Sequence, residues 1–527
     1  MIYHCEDHTC NYWDEGEKLP ERCPQCGRKL LRANEADMTG DDWTALGNTL
    51  WDAEASDKKR MVDCFRKAAY LGSAWGVCNL GICMEQGNGV EADPVQAFWL
   101  YQQAVEMGSL NAVCCLGVCY QYGIGTAPDA KQAAELYCKA AEYGSPRGQM
   151  LLAHAFHDGI GVEADAAEAV YWVRAAAYQR YGEGMHRLGV CYEYGDGVEQ
   201  NWERAVHWFR EAAESGVSVA MADLGYCYEK GCGVEQSWEQ AFSWYRRGAE
   251  CGDPVSMCNL GWCYKRGYGV EQNLQEAVKW YEQGAQCGNL QSMHNLACCY
   301  ERGEGVEQNM TEAIRWYTAA AEGGNADDMY NLGWQYDHGE GVEQDMKKAI
   351  CWYERAAEQN HPAAMNSLGE CYAMGQGVPR DLETAMEWYR RAAELGEAMA
   401  DYNMGWHLEQ AGKLSEAYAH YRKAADGNDD SAWWALGRFY ENGVVVAQDG
   451  KEARRCYETG EKLGSVKCKM RLARCKLLGI GGRRAKNAGL DLCRQALELA
   501  KESSEKEDYG YEAEMNLLRR TIAENES

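Results

Sequence analysis

Residues 188–216 read LGVCYEYGDGVEQNWERAVHWFREAAESG, and this stretch decides the fold of the chain. Leu188 and Tyr192 lie four residues apart, which places both side chains on one face of a helix. Gly195 follows at the point where a left-handed residue would end that helix. Asn201 can then accept hydrogen bonds from the exposed amides of a second helix. The stretch therefore predicts two helices joined by a short turn.

The same pattern recurs along the chain. From Leu80 to Met404 the repeat position, usually a leucine followed by glycine, returns every 36 residues, and the outer intervals are 34, 32 and 36 residues. These positions are Leu46, Leu80, Leu116, Leu152, Leu188, Leu224, Leu260, Leu296, Leu332, Leu368, Met404, Leu436 and Leu472. Self-similarity at a fixed period predicts about thirteen helix-turn-helix units. One pair of helices cannot bury both of its faces, so the units must stack.

Three other columns of residues keep the same period. The column of helix-capping residues starts the second helix of each unit, helix B, and comprises Asp93, Asp129, Asp165, Asn201, Ser237, Asn273, Asn309, Asp345, Asp381 and Asp449. A column on helix B, which we interpret as core, comprises Trp172, Trp208, Trp244, Trp280, Trp316, Trp352 and Trp388. A column on the first helix, helix A, which we interpret as small core residues, comprises Cys83, Cys119, Cys191, Cys227, Cys263, Cys299, Cys371 and Cys475.

Together these columns closely resemble the Sel1-like repeat, the 36-residue relative of the tetratricopeptide repeat. The resemblance covers nearly nine-tenths of the chain. It implies an all-α fold in which residues 39–500 form a right-handed α-solenoid superhelix. It also implies a scaffold for protein-protein interactions, without catalytic residues of its own.

Composition and charge narrow the choice of partner and location. With 53 Lys and Arg against 81 Asp and Glu, the net charge is −28, which disfavours nucleic acid as the main partner. The sequence from Met1 has neither the basic start nor the apolar core of a secretory signal, so we expect the cytoplasm. The uncharged run 107–128 is interrupted by four glycines and predicts two packed helices rather than a membrane span.

Residues 1–38 differ from the repeats and predict a small metal-binding ribbon. Cys5 and Cys10 precede Cys23 and Cys26, and the two-residue gap of the second pair lets both thiolates face one ion. The segment is similar to zinc ribbons and to the rubredoxin-like knuckle. We expect zinc rather than iron, because the first pair departs from the rubredoxin pattern, and His8 is an alternative ligand. The remaining interpretation is four unliganded thiols in a disordered leader.

No catalytic motif stands out in the repeats. The sequence contains no H-E-x-x-H, G-x-S-x-G or Walker-type G-K-S/T motif, so we expect no enzymatic activity. His154 and His157 are three residues apart, and Cys298 follows His294 by four residues. Each pair offers two ligands to one ion, which is too few for a metal site. A different kind of function, an iron-binding redox or metal-sensing protein with the repeats as a docking arm, is the alternative to the scaffold.

The residues one before and two after each repeat leucine form a stripe on helix A, turned away from the core face. We call these positions the helix-A stripe. By resemblance to tetratricopeptide proteins, an asparagine one before the core position holds peptide ligands. The predicted partner-binding residues are Asn259, Trp262, Asn295, Asn331, Trp334, Asn403 and Trp406, with Asn79 and Tyr226 in the same stripe.

The predicted partner is a protein or peptide that lies along the concave side of the solenoid. Glu193, Glu229 and Glu301 share this side of helix A, so a basic peptide with apolar anchors suits it. The alternative is that the asparagines bridge to the backbone of the next repeat and the tryptophans fill gaps between helices A. The last segment, residues 501–527, has apolar residues at helical spacing and predicts a C-terminal capping helix.

Overall fold

The computed structural model describes residues 2–5, 13–15, 30–32, 35–51, 55–506 and 512–526. Two compact units divide the chain, Met1–Gly284 and Ala285–Ser527. The first unit begins with a three-stranded antiparallel sheet of order β2-β1-β3, in which β1 is Ile2–Cys5, β2 is Trp13–Glu15 and β3 is Leu30–Arg32. A short 3₁₀ helix, Glu35–Asp37, leads into the α-helices.

Fourteen α-helices begin in the first unit. They are α1 (Gly40–Thr49), α2 (Ala55–Tyr70), α3 (Ala74–Gln86), α4 (Pro94–Glu106), α5 (Leu110–Tyr122), α6 (Ala130–Glu142), α7 (Pro146–Asp158), α8 (Ala166–Tyr178), α9 (Gly182–Tyr194), α10 (Trp202–Glu214), α11 (Ser218–Lys230), α12 (Trp238–Glu250), α13 (Pro254–Arg266) and α14 (Leu274–Gln286).

The second unit continues the same alternation of helix A and helix B. Its helices are α15 (Leu290–Arg302), α16 (Met310–Glu322), α17 (Ala326–His338), α18 (Met346–Glu358), α19 (Pro362–Met374), α20 (Leu382–Glu394), α21 (Ala398–Gln410), α22 (Leu414–Asp426), α23 (Asp430–Asn442), α24 (Gly450–Lys462), α25 (Val466–Leu478), α26 (Lys486–Lys506) and α27 (Glu512–Glu526). Each unit is thus a stack of helix pairs, the arrangement of an α-solenoid.

The predicted helix ends are confirmed. Asn201 Oδ1 accepts a hydrogen bond from the Arg204 amide at 2.9 Å, and the carboxylate or hydroxyl of the corresponding residue caps helix B in most other repeats. Gly195 ends α9 with a φ of 77°, in the left-handed region that a glycine adopts without cost. The helix boundaries therefore follow from local capping chemistry.

The glycine after the repeat leucine has a packing role. A Cβ atom added at Gly225 would lie 2.5 Å from the ring of Tyr245, and one added at Gly333 would lie 2.6 Å from the ring of Tyr353. Both rings are fully buried. Helix B therefore places an aromatic ring directly on the backbone of helix A, which only glycine permits at this separation.

The tryptophan column on helix B differs from its predicted core role. Trp244 is buried, but Trp352 and Trp388 are only half-buried. The residue after the tryptophan is the core aromatic in six of the seven repeats, as at Tyr353 and Tyr389, and Val173 takes that place after Trp172. Arginine guanidinium groups cover the exposed tryptophan faces, with Arg355 4.2 Å from the Trp352 ring centroid. The tryptophans therefore lie at the edge of the core.

The second glycine of each turn touches the preceding repeat. A Cβ atom at Gly197 would collide with the carbonyl oxygen of Ala166, the first residue of α8, and Gly233 meets Trp202 in α10 in the same way. Val445 stands at this position in the turn after α23 and has a φ of 65°. A β-branched residue rarely adopts this left-handed conformation.

The cysteine column lies in the core as predicted, with every member buried.

At the end of the second unit, α27 packs against α25 and α26. Arg471 in α25 donates two hydrogen bonds to the Glu514 carboxylate in α27, at 2.7 and 2.8 Å. Both side chains are largely buried, so this two-pronged ion pair fixes the orientation of α27.

Candidate functional site

The helix-A stripe is more exposed than the core columns beside it. Trp406 is 39% exposed and Tyr226 is 44% exposed, while Trp262 and Trp334 are half-buried. By contrast, the repeat leucines Leu260 and Leu332 are fully buried. None of these four aromatic side chains is fully enclosed by the scaffold, so each retains surface that a partner can contact.

Trp262 belongs to an aromatic cluster of the first unit. Its ring centroid lies 5.6 Å from that of Trp238 and 4.9 Å from that of Tyr268. Trp238 and Tyr268 stack on each other with centroids 4.3 Å apart. The cluster joins helix A of this repeat, the turn that follows it and helix B of the preceding repeat, and the contacts hold the exposed part of Trp262 in one orientation.

The two stripe tryptophans of the second unit are supported by histidines. The Trp334 ring stacks on His338, one helical turn later, with centroids 4.3 Å apart. The Trp406 ring meets its neighbour His407 edge to face at 4.7 Å. Partial burial lowers the pKa of His407, as does the charge of Arg380, so this imidazole stays neutral more readily.

The stripe asparagines are buried or half-buried, and Asn79, Asn295 and Asn403 make hydrogen bonds within the scaffold. The Asn403 amide donates to Asn366 Oδ1 at 3.0 Å and to Glu370 Oε1 at 2.9 Å. The Asn79 amide donates to Asn48 Oδ1 at 2.8 Å. These partners are side chains of the preceding repeat. The alternative prediction, that the asparagines bridge to the backbone of the next repeat, does not describe these two residues. Asn259, Asn295 and Asn331 are half-buried.

The acidic residues on this side of helix A serve the core tyrosines. Glu229 is buried and accepts a hydrogen bond from the Tyr245 hydroxyl at 2.8 Å. Glu301 accepts one from the Tyr317 hydroxyl at 3.0 Å. Partial burial raises the pKa of Glu193. The carboxylates of Glu229 and Glu301 are therefore engaged within the fold rather than free in a groove.

The predicted metal ligands Cys5, Cys10, Cys23 and Cys26, and the alternative ligand His8, lie outside the residues whose side chains the structure describes. Across the described part of the chain, no three His, Cys, Asp or Glu side chains are placed to hold a metal ion. His157 binds Asp158 and Asp196, at 2.6 and 3.2 Å.

No helix among the described residues is long and apolar enough to cross a membrane.

One polar cluster was only half visible in the sequence. His294 and Cys298 lie side by side on α15, with His294 Nε2 3.6 Å from Cys298 Sγ. The structure adds Asp328 from the next repeat, whose Oδ1 lies 2.7 Å from His294 Nδ1. One feature of the sequence did point to this cluster. Cys298 occupies the stripe column that holds Tyr226, Trp262, Trp334 and Trp406 in other repeats.

Comparison with known proteins agrees with the repeat geometry. The Sel1 repeat model matches twelve segments, which are 76–109, 112–145, 146–181, 182–217, 218–253, 254–289, 290–325, 326–361, 362–397, 398–429, 432–465 and 466–501. Thirteen units were predicted; the unit at Leu46 forms the helix pair α1 and α2, which precedes the matched segments. None of the curated proteins matches the chain.

Two solved structures are similar to this chain. A protective antigen of uropathogenic Escherichia coli with an SLR fold is 29% identical, covers 81% of this chain and 94% of its own, and has a TM-score of 0.59. A Sel1 repeat protein from Oxalobacter formigenes is 31% identical, covers 46% of this chain and 96% of its own, and has a TM-score of 0.42. Because the matched repeats run in register from residue 76 to residue 501, the chain belongs to the Sel1 repeat family, whose members generally act as scaffolds for protein interactions.

Proposed function

We propose that this protein is a non-catalytic scaffold that binds a protein or peptide partner through the helix-A stripe. The observation that carries the proposal is the partial exposure of large aromatic side chains at one repeated position, beside columns that are fully buried. A partner that covers these rings removes apolar surface from water, which is favourable. Aromatic residues are the usual anchors of protein interfaces.

The stripe tryptophans are better suited to this role than the asparagines. Asn403 already donates two hydrogen bonds within the scaffold, so its amide can bind a ligand only by giving up those bonds. Trp334 and Trp406 are held by neighbouring histidines and lose little rotamer freedom on binding. We expect Asn259, Asn295 and Asn331 to contribute hydrogen bonds around these anchors.

The experiment is affinity capture with the full chain and two matched triple variants. The first variant combines Trp262→Ala, Trp334→Ala and Trp406→Ala in the stripe. The control combines Trp75→Ala, Trp99→Ala and Tyr171→Ala, three aromatic residues outside the stripe that are 63%, 63% and 59% exposed. Loss of a near-stoichiometric partner in the stripe variant only supports the proposal. Equal capture by both variants contradicts it.

A basic partner stays a prediction that depends on the net charge of −28. The prediction that Glu229 and Glu301 themselves bind a basic peptide is weakened, because the hydroxyl groups of core tyrosines already donate hydrogen bonds to both carboxylates. The measurement is the salt dependence of the captured complex. A basic partner dissociates as ionic strength rises from about 0.05 to 0.5 M, whereas an apolar contact persists.

We also propose that Cys5, Cys10, Cys23 and Cys26 bind one zinc ion, which supports the fold of residues 1–38. The support is their spacing, with thiolates as the preferred zinc ligands. Metal analysis of the intact protein and of a Cys23→Ser, Cys26→Ser variant tests this. One zinc per chain that is lost in the variant supports the site. A red, iron-containing protein favours the alternative redox or metal-sensing function, and a metal-free protein contradicts both.

A further inference from the structure

The repeat at residues 290–325 carries a charged cluster where its neighbours carry aromatic side chains. Cys298 stands two residues after Leu296, in the stripe column of Trp334 and Trp406. The side chain of His294 lies one helical turn before it on α15 and is 25% exposed. Cys298 itself is half-buried, unlike its neighbour Cys299, which is buried.

Three helices of the second unit build this cluster. His294 and Cys298 come from α15, Tyr317 from α16 and Asp328 from α17. His294 Nδ1 faces Asp328 Oδ1 at 2.7 Å, and His294 Nε2 faces Cys298 Sγ at 3.6 Å. The Tyr317 hydroxyl lies 3.3 Å from Cys298 Sγ and 3.0 Å from Glu301 Oε2. Carboxylate, imidazole and thiol thus form one continuous chain of hydrogen bonds.

The position of Asp328 determines where the imidazole proton is held. The side chain of Asp328 is fully buried, and its Oδ2 atom has no hydrogen-bond partner among the described residues. A buried carboxylate needs a cationic or hydrogen-bonding partner, because its loss of hydration is costly. His294 Nδ1–H supplies that partner, and this orients Nε2 towards the sulfur.

The charges on the two partners follow from these contacts. Hydrogen bonds to Asp328 and then to Cys298 raise the pKa of His294 to about 10, against an opposing effect of burial. Burial acts to raise the pKa of Cys298, but the hydrogen bond and the positive charge of His294 act in the opposite direction, and the net shift of that pKa is downward. Glu301 on α15 is the opposing negative charge, and its effect on the thiol is smaller.

We propose that Cys298 is held as a thiolate paired with the His294 imidazolium, with Asp328 as the positioning residue, and that it is oxidised by hydroperoxides. The thiolate attacks one peroxide oxygen, so that an S–O bond forms as the O–O bond breaks. Sulfur loses two electrons and the peroxide gains them. The leaving oxyanion takes the Nε2 proton of His294, which gives a sulfenic acid, neutral His294, and water or an alcohol.

Acyl transfer is the less suitable chemistry for this thiolate. Cys298 lies in the middle of α15, where backbone N–H groups are used within the helix, so they cannot stabilise an oxyanion. A hydroperoxide needs no such donors, because its leaving oxygen is neutralised by the adjacent imidazolium. The inference does not depend on a partner protein and goes beyond the proposed scaffold function.

The first test is alkylation of the intact protein with iodoacetamide between pH 5.5 and 9.5, followed by peptide mass spectrometry. Cys287 and Cys351 are exposed thiols of the same chain and serve as internal references. We expect Cys298 to react at least about tenfold faster than both at pH 6, because a thiolate rather than a thiol is the nucleophile. Its rate should change little up to pH 8. A rate that rises with pH in parallel with the references would overturn the thiolate.

The second test separates charge from fold. In His294→Gln and Asp328→Asn variants, the rate of Cys298 at pH 6 should fall towards that of Cys287, while the buried Cys299 stays as slow to label as in the wild type, as proof of an intact fold. Unchanged labelling of Cys298 in both variants would contradict the role of the imidazolium. If a variant does not fold, the pH profile of the wild-type protein still decides the question.

The third test uses hydrogen peroxide itself, with dimedone to trap sulfenic acid. The peptide that contains Cys298 should be the main labelled peptide at low peroxide, and labelling should fall in the His294→Gln variant. A reactive thiolate that alkylates rapidly at pH 6 but forms no sulfenic acid would overturn the oxidation step.

Discussion

Two consecutive repeats, 290–325 and 326–361, share a frame of helix caps and core tyrosines but differ at other positions of helix A. In both, an asparagine caps helix A, and the core tyrosine of helix B donates its hydroxyl to an acidic residue of helix A. Among the columns that differ on helix A, His294, Ala297 and Cys298 in the first repeat correspond to Tyr330, Gly333 and Trp334 in the second.

The comparison separates the residues that hold the repeat together from those that give it chemistry. Tyr317 and Tyr353 are both buried and occupy the same position. By contrast, Trp334 presents an aromatic surface supported by His338, whereas Cys298 presents a thiol supported by His294 and Asp328. The buried columns therefore fix the fold, and the stripe columns can change without disturbing it.

The largest expected effect comes from breaking the shared frame. Tyr353→Ala and Tyr317→Ala should each destabilise the second unit by about 3–5 kcal/mol, because each leaves a cavity beneath helix A. Urea unfolding followed by circular dichroism, with hydrogen exchange to locate the loss, measures this. Trp334→Ala is the matched control and should cost much less, since its ring is only half-buried. Similar losses for all three would contradict the distinction between frame and stripe.

A smaller effect distinguishes the glycine of one repeat from the alanine of the other. Gly333→Ala should cost about 1–3 kcal/mol, because its new methyl group would lie 2.6 Å from the Tyr353 ring and force a shift. Ala297 already accommodates a methyl group beside Tyr317, so Ala297→Gly should cost only about 1 kcal/mol through helix propensity. The free energy of unfolding of both variants checks this order, and a neutral Gly333→Ala would refute the close packing.

The frame could be read from the sequence because its chemistry is local. A capping residue such as Asn309 and the turn glycine Gly303 act within a few residues of their own position. Whether Trp352 or Tyr353 is the core aromatic could not be predicted from nearby residues. Neighbouring residues on a helix point about 100° apart, and the packing of helix B against helix A decides which of the two is buried. Asp328 was missed for a similar reason, since it reaches His294 from the next repeat.

The turn that ends helix A offers a still smaller test. Both compared repeats have glycine at its second left-handed position, at Gly305 and Gly341, whereas the turn after α23 has Val445 with a φ of 65°. Val445→Gly should stabilise the second unit by about 1 kcal/mol, because it relieves an unfavourable backbone conformation. Thermal unfolding measures the change, with the neighbouring Val444→Gly as control. A loss of stability in Val445→Gly would show that its side chain contributes more than the strain costs.

The finest difference between the repeats is the response of stability to pH. The ordinary pKa of histidine is 6.5, and the pKa of His294 in the fold is about 10. Taken alone, protonation of His294 therefore stabilises the folded state fully below pH 6.5, and this stabilisation is lost as pH rises from 6.5 to about 10. In the wild type, the folded state gains this proton and loses that of Cys298, whose ordinary pKa is 9.0. The two changes act in opposite directions between pH 6.5 and 9.0 and therefore partly cancel.

Cys298→Ala removes that cancellation. Its stability should fall more steeply above pH 6.5 than that of the wild type, in which ionisation of Cys298 offsets part of the effect of His294. Trp334→Ala, which alters the same column of the neighbouring repeat, should keep the wild-type pH dependence. Urea midpoints at pH 6.5, 7.5 and 8.5 provide the measurement. Identical slopes for Cys298→Ala and the wild type would show that the thiol is not ionised in the fold.

The second glycine of each turn also bears on how such a chain grows. Gly197 rests on the first carbonyl group of α8, and Gly233 rests on that of α10, so these two repeats are seated on their predecessors by the same pair of backbone groups. A repeat that is copied in register brings both halves of this contact with it. The gene can therefore lengthen or shorten in whole 36-residue steps without a new interface, while an insertion of any other length within the turn would separate the two groups.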